Sequence, residues 1–259
     1  MSIKPIGIFD SGVGGTSIWR EINKLMPNES TIYLADSKYA PYGPKGEDRI
    51  KELCIKNTEI LLEKDCKIIV VACNTATTNA IDYLRKTYPI SFIGIEPAIK
   101  PAALQTKTNA IGILATKGTL SSSLFHKTSN LHANGVTVIE QIGEGIVPLI
   151  ENGQIDSEEM LALLKTYLQP MLDVNIDHLV LGCTHYPYLT PTLLKLLPKN
   201  VKIIDSGEAL ARQTEVVLEK ENLLNKENAY ETNLFYTNGN PEIIKALLGV
   251  DCKVESLNF

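Results

Sequence analysis

Along its whole length the chain alternates short β-branched runs with longer stretches whose apolar residues recur at helical spacing. Strand candidates fall at residues 6–9, 31–35, 67–72, 91–95, 110–115, 136–140, 178–182, 201–205 and 233–237. Between them lie stripes such as Ile50, Leu53, Cys54, Asn57, Ile60 and Leu61. This order predicts an α/β fold with mainly parallel sheets flanked by helices. Runs such as IIVVA and HLVLG are apolar on both sides, as expected where helices cover both faces.

No Gly/Ser linker divides the 259 residues, so lobes must be found from pattern. The Pro97/Pro101 segment offers a crossover and Asp205-Ser206-Gly207 a return. The expected division is 1–97 plus 207–259 for one lobe and 98–206 for the other. An internal echo supports pseudo-symmetric lobes with a cleft between them. Both KIIVVACNT, at 67–75, and HLVLGCTH, at 178–185, read as a buried strand, a small residue, then cysteine.

Bulk properties exclude several classes. Hydrophobic residues make up 44% and charged residues 21%, and net charge is −5. No basic stripe invites nucleic acid. No stretch approaches the ~20 apolar residues of a membrane span, and the N-terminus does not read as a secretory signal. A cytoplasmic location is expected. Five cysteines, with no C-x-x-C pair, argue against a disulfide framework.

In open parallel sheets, ligands bind beyond the carboxyl ends of strands. Asp10-Ser11-Gly12-Val13-Gly14-Gly15-Thr16-Ser17 follows the first strand there. Its glycines allow close backbone approach, and N–H groups at the next helix start favour an anion. A nucleotide loop, with Asp36 holding a ribose, is one reading. The G-x-G-x-x-G pattern fails at Ser17, however, and no P-loop is present. Cys73-Asn74-Thr75 and Cys183-Thr184-His185 each stand at a strand end and are expected to open a helix, where a thiol pKa falls. Pro41-Tyr42-Gly43-Pro44 is either a plain turn or a loop closing over a ligand. Cys54, Cys66 and Cys252 read as structural, and His126 and His132 as solvated. Zinc at Cys183 and His185 lacks a second ligand pair. No lysine motif suggests an internal aldimine, so neither cofactor nor metal is expected.

FDSGVGG, YGPK, ACNTAT, GIEPAIKPA, ATKGT and GCTHYP occur in the order seen in glutamate racemases of the aspartate/glutamate racemase family, and nearly the whole chain resembles them. The resemblance implies two α/β lobes with the active site between them, and a homodimer. It makes Cys73 and Cys183 the acid/base pair. Asp10 then supports Cys73, and His185 supports Cys183. Glu151 and Asp36 match further assisting acids. Ser11, Pro41, Tyr42, Gly43, Asn74, Thr75, Thr116, Thr119 and Thr184 match residues holding the substrate, L- or D-glutamate. PAIKPA resembles the branch found in many Gram-negative bacteria. Part of that branch answers to a cell-wall-precursor activator, and some members carry an N-terminal extension that is not seen here. The implied role is D-glutamate supply for peptidoglycan. An aspartate racemase, a non-catalytic small-anion binder and a nucleotide-dependent oxidoreductase are the competing readings.

Two acid/base groups on opposite faces can invert a carbon without turning it over, which is why paired strand-end thiols suit such chemistry. With no cofactor to spread the carbanion, the site must stabilise charge on the α-carboxylate. Asn74, Thr75 and Thr184 are the candidate donors, and one well-placed donor contributes ~3–4 kcal/mol.

Overall fold

Every strand pairing is parallel. The computed structural model describes residues 4–225, 232–249 and 252–259. Its strands are β1 (Ile6–Asp10), β2 (Thr31–Ala35), β3 (Ile68–Val71), β4 (Phe92–Gly94), β5 (Ala110–Ala115), β6 (Thr137–Ile142), β7 (His178–Gly182), β8 (Lys202–Ile204), β9 (Asn233–Thr237) and β10 (Lys253–Ser256). They form a six-stranded sheet, β10-β9-β2-β1-β3-β4, and a four-stranded sheet, β6-β5-β7-β8. The chain leaves the larger sheet after β4, builds the smaller one, and returns for β9 and β10. Helices flank both sheets, giving two α/β lobes.

The alternating side chains of the strands decide where the core lies. Ile6, Ile8, Tyr33, Ile68 and Val70 face one way, and share a single cluster with Leu114, Leu179 and Leu181 of the smaller sheet. Phe9, Leu34, Ile69 and Val71 face the other way and pack on Leu53, Cys54, Leu61, Ala80 and Leu84. Ile111, Ile113 and Val180 make a third cluster, with Ile99 and Phe125. The lobes are thus joined through one continuous apolar face while each keeps its own outer core.

The helix Glu47–Glu63 follows from its stripe: Ile50, Leu53, Cys54, Asn57 and Leu61 are buried, and Glu47 and Asp48 favour its N-terminal dipole. The strand β10 was not expected. Its sequence, KVES, has one apolar residue in four and lies at the sheet edge with exposed ends. Among the described residues no helix is long and apolar enough to cross a membrane.

Candidate active site

β1 and β3 are neighbours in the larger sheet, and β7 is central in the smaller. Their carboxyl ends deliver Asp10, Cys73 and Cys183 to one region. Cys73 and Cys183 line the same narrow cavity between the lobes, which holds ≈ 10 Å³, about the room one water needs. The larger lobe adds Ser11, Pro41, Tyr42, Gly43, Asn74 and Thr75, and the smaller adds Thr116, Thr184 and His185. Val147 and Gly182 line it too and escaped the sequence reading. Val147 lies in the apolar helix Ile146–Glu151 and reads as core; nothing in its local pattern marks a site.

Asn74 is buried, and neither its amide nitrogen nor its oxygen has a partner among the described residues. A lining amide in that state is ready for a ligand's polar groups. Thr75 Oγ1 and Thr116 Oγ1 meet at 2.8 Å across the lobes, with Thr119 Oγ1 3.1 Å from Thr116. Thr119 itself stands behind this pair and does not line the cavity.

Cys73 caps the helix Asn74–Thr87, its sulfur accepting the Ala76 N–H at 3.4 Å. Burial nonetheless pushes the thiol well up, reinforced by the Asp10 carboxylate and opposed by the Ala76 and Ser11 hydrogen bonds. The helix start therefore does not lower this thiol's pKa as expected, because desolvation and a nearby anion outweigh it. Burial also raises Asp10, against the pull of His185. Asp10 Oδ2 accepts the Gly15 N–H at 2.6 Å and the Thr184 hydroxyl at 3.3 Å.

Cys183 differs from expectation in another way. A turn and a short 3-10 segment, Tyr186–Leu189, follow it instead of an α-helix. Pro187 lies inside this segment and has no N–H to add to a helical ladder. The charge beside this sulfur comes from His185, whose Nδ1 lies 3.7 Å from Sγ. Burial opposes the charged imidazole, but hydrogen bonds to Cys183 and Glu151 outweigh it and raise His185 well above its usual pKa. Glu151 Oε1 sits 2.5 Å from His185 Nε2. Gly14 N is also 3.2 Å from Nε2. The shorter, charge-assisted contact fixes the proton on Nε2, so Gly14 N–H packs against the ring without donating to it.

The glycine loop 11–15 serves the protein's own carboxylates. Val13 N–H donates to Glu151 Oε1 at 2.7 Å, and Gly15 N–H to Asp10. Those donors are already engaged, which removes the basis of the nucleotide reading. Any side chain at Gly12 would strike Glu151, and any at Gly14 would strike His185.

Asp36 is not brought to the cavity. Its carboxylate accepts the Tyr42 hydroxyl at 2.6 Å, pairs with Lys56 Nζ at 2.9 Å, and accepts Asn238 Nδ2 at 2.5 Å. It stands behind Tyr42, one residue removed from any ligand. Glu151 and Asp10 likewise act on the cavity through His185, Cys73 and Thr184 and do not line it.

The family model for Asp/Glu/hydantoin racemases matches residues 6–214. A glutamate racemase of Herpetosiphon aurantiacus is 44% identical over 93% of this chain and 95% of its own. Among solved structures, a glutamate racemase isoform of Bacillus anthracis superposes with a TM-score of 0.89 at 30% identity, covering 99% of this chain and 98% of its own. Escherichia coli glutamate racemase, in complex with L-glutamate and the activator UDP-MurNAc-Ala, gives 0.87 at 34% identity over 98% of each chain. By the match across most of its length, this chain belongs to the Asp/Glu/hydantoin racemase family.

Proposed function

We propose that this enzyme interconverts L- and D-glutamate without a cofactor, using Cys73 and Cys183 as opposed acid/base groups. One observation carries the reading: thiols that follow strands of two different sheets line one narrow cavity between the lobes. From L-glutamate, Cys183 takes the α-proton and Cys73 returns one to the other face; from D-glutamate the roles exchange. His185, held by Glu151, sets a cation beside Cys183. Asp10 opposes charge on Cys73 until it takes up a proton, which its own raised pKa favours. Asn74, with its unpartnered amide, and Thr75, Thr116 and Thr184 receive the carboxylates. Glutamate enters as the lobes, taken as 1–97 plus 207–259 and 98–206, part at their two connections. Closure then excludes water and strengthens those bonds.

The same reading makes the enzyme a cytoplasmic homodimer whose product feeds peptidoglycan. It extends to a cell-wall-precursor activator, by likeness to the E. coli structure; adding UDP-MurNAc-Ala to the assay checks this by a rise in rate.

Racemisation is followed by circular dichroism and α-hydrogen exchange in D2O. Cys73→Ala and Cys183→Ala each lower turnover by about 10²–10⁴-fold or more while the far-ultraviolet spectrum is unchanged. Cys54→Ala, in the outer core, leaves turnover near its starting value. Equal activity in all three variants would assign the chemistry to other groups, and a preference for aspartate would overturn the substrate.

A further inference from the structure

Two consecutive peptide units in the glycine loop are each held from behind by a hydroxyl. The Gly12 carbonyl accepts the Tyr33 hydroxyl at 2.7 Å, while the Val13 N–H of the same peptide donates to Glu151. The Val13 carbonyl accepts the Thr16 hydroxyl at 2.6 Å, while the Gly14 N–H of that peptide faces the His185 ring. Hydroxyls behind the loop thus aim the amides in front of it. Thr16 Oγ1 also lies 2.5 Å from Tyr188 OH. A carbonyl can only accept, so the single Thr16 proton goes to Val13 and Tyr188 must be the donor in this second contact. Tyr188 sits in the 3-10 turn that begins beside His185, on the opposite lobe from Thr16. Arg20 lies 5.5 Å over its ring, and Ser17 Oγ donates to the Thr184 carbonyl at 2.9 Å alongside.

The geometry points to Thr16 and Tyr188 as positioning residues for Cys183: their hydroxyl contact ties the turn carrying His185 to the loop carrying the Glu151 and His185 contacts. Neither residue lines the cavity. Neither makes a hydrogen bond to Asp10, Ser11 or Cys73 among the contacts above. The pair's hydrogen bonds thus run to the Cys183 side, with the Asp10 charge reaching Tyr188 only through space. Burial keeps the Tyr188 hydroxyl protonated, ahead of the lowering effects of Thr16 and Arg20, so its donor role persists across the working pH range. The inference rests on the two-thiol reading, in which Cys183 takes the proton from L-glutamate and delivers one to the intermediate formed from D-glutamate.

The test compares racemisation of α-protonated and α-deuterated L- and D-glutamate by circular dichroism. Tyr188→Phe and Thr16→Val lower kcat/KM by about tenfold in both directions, the kinetic equivalent of one good hydrogen bond, because the equilibrium constant between enantiomers is one. Proton transfer at Cys183 then limits the rate, so the deuterium isotope effect on kcat/KM rises for L-glutamate and falls towards one for D-glutamate. Thr16→Ser, which keeps the hydroxyl, restores the starting values. Isotope effects that stay unchanged for both enantiomers overturn the proposal, since a general loosening of the fold gives that pattern. So does an unchanged kcat/KM in both variants. No exchange from either enantiomer in the unaltered enzyme removes the two-thiol reading itself, and this inference with it.

Discussion

Cys73 and Cys183 occupy matching ends of matching strands, yet the chain surrounds them with opposite charges. Cys73 has an α-helix start in front of it and a buried carboxyl, Asp10, beside it. Cys183 has no α-helix immediately after it but faces a buried imidazole whose proton is secured by Glu151. The repeated strand–cysteine unit makes the backbone symmetric; residues far away in sequence make the electrostatics asymmetric. A racemase needs one sulfur carrying a proton and one ready to accept it, in either order. Unequal surroundings of this kind set which state the resting enzyme favours. One loop supplies both sides: Gly12 and Gly14 leave room for Glu151 and His185, and Gly15 for Asp10.

The largest effects are expected where that shared loop is filled. A methyl at residue 14 would sit 2.2 Å from His185 Nδ1, and one at residue 15 would sit 2.7 Å from Asp10 Cβ. Both neighbours are buried and cannot step aside. Gly14→Ala and Gly15→Ala therefore each lower kcat by about 10³-fold, within the range for loss of a general acid/base group, measured by circular dichroism of racemisation. If one is tolerated and the other is not, the two sides do not depend equally on the loop.

A smaller effect is expected at the mouth, where the lobes meet glycine to glycine. A methyl at Gly118 would lie 2.9 Å from Gly43 Cα and 2.7 Å from Thr75 Cγ2. Gly118→Ala should hold the lobes apart by a fraction of an ångström and lower kcat/KM by about 10²-fold. Both thiols lose their common substrate in that case, so the deuterium isotope effects on kcat/KM for L- and D-glutamate must keep their starting ratio; a changed ratio would place Gly118 with a single thiol.

Smaller again is the effect of Asp36, the assisting acid that the structure sets behind Tyr42. Asp36→Asn keeps an oxygen for Tyr42 but leaves Lys56 without its anion. The Asn238 amide also loses its acceptor if the remaining oxygen turns to Tyr42, yet none of these groups but Tyr42 lines the cavity, so the expected cost is about fivefold in kcat/KM, carried mostly by KM. A fall in kcat as deep as that of the thiol variants would return Asp36 to the acid/base machinery.

These cases also mark what a sequence can disclose. Buried parallel strands are legible because both faces must be apolar, and β3, β5 and β7 lie where the runs of Ile, Val and Leu put them. β10 is not legible, since an edge strand needs no apolar run. The thiols are legible from their place after such strands. Their surroundings are not: whether Cys183 opens a helix is decided by a tight turn after it, and whether Asp36 reaches the cavity is decided by Tyr42 standing in front. Thr16 closes the glycine loop and Tyr188 follows the second cysteine unit, 172 residues away, and only the fold brings them together. Val147 reads as core because it is core on one side and cavity wall on the other.

The gentlest probe of the asymmetry is the dependence of stability on pH. The His185 pKa is raised well above 6.5 in the folded enzyme, so binding that proton favours folding. The contribution is complete below the unfolded pKa of about 6.5 and is lost as pH rises through the higher folded value. Buried thiols add a loss of the same sign: burial pushes Cys66 up to about 12, and raises Cys54 and Cys73 as well. Their effect begins only above an unfolded thiol pKa of about 8.5, so the informative window is pH 6–8. Asp10, also raised, acts with the same sign from about pH 4 upward; His185→Gln removes the cation that opposes its rise, which works against the flattening expected of that variant. Thermal melts of the unaltered enzyme should fall by a few degrees across that window, and those of His185→Gln should fall less. Parallel curves for the two would mean that His185 gains no proton affinity on folding, and the cation assigned to the Cys183 side would have to be sought elsewhere.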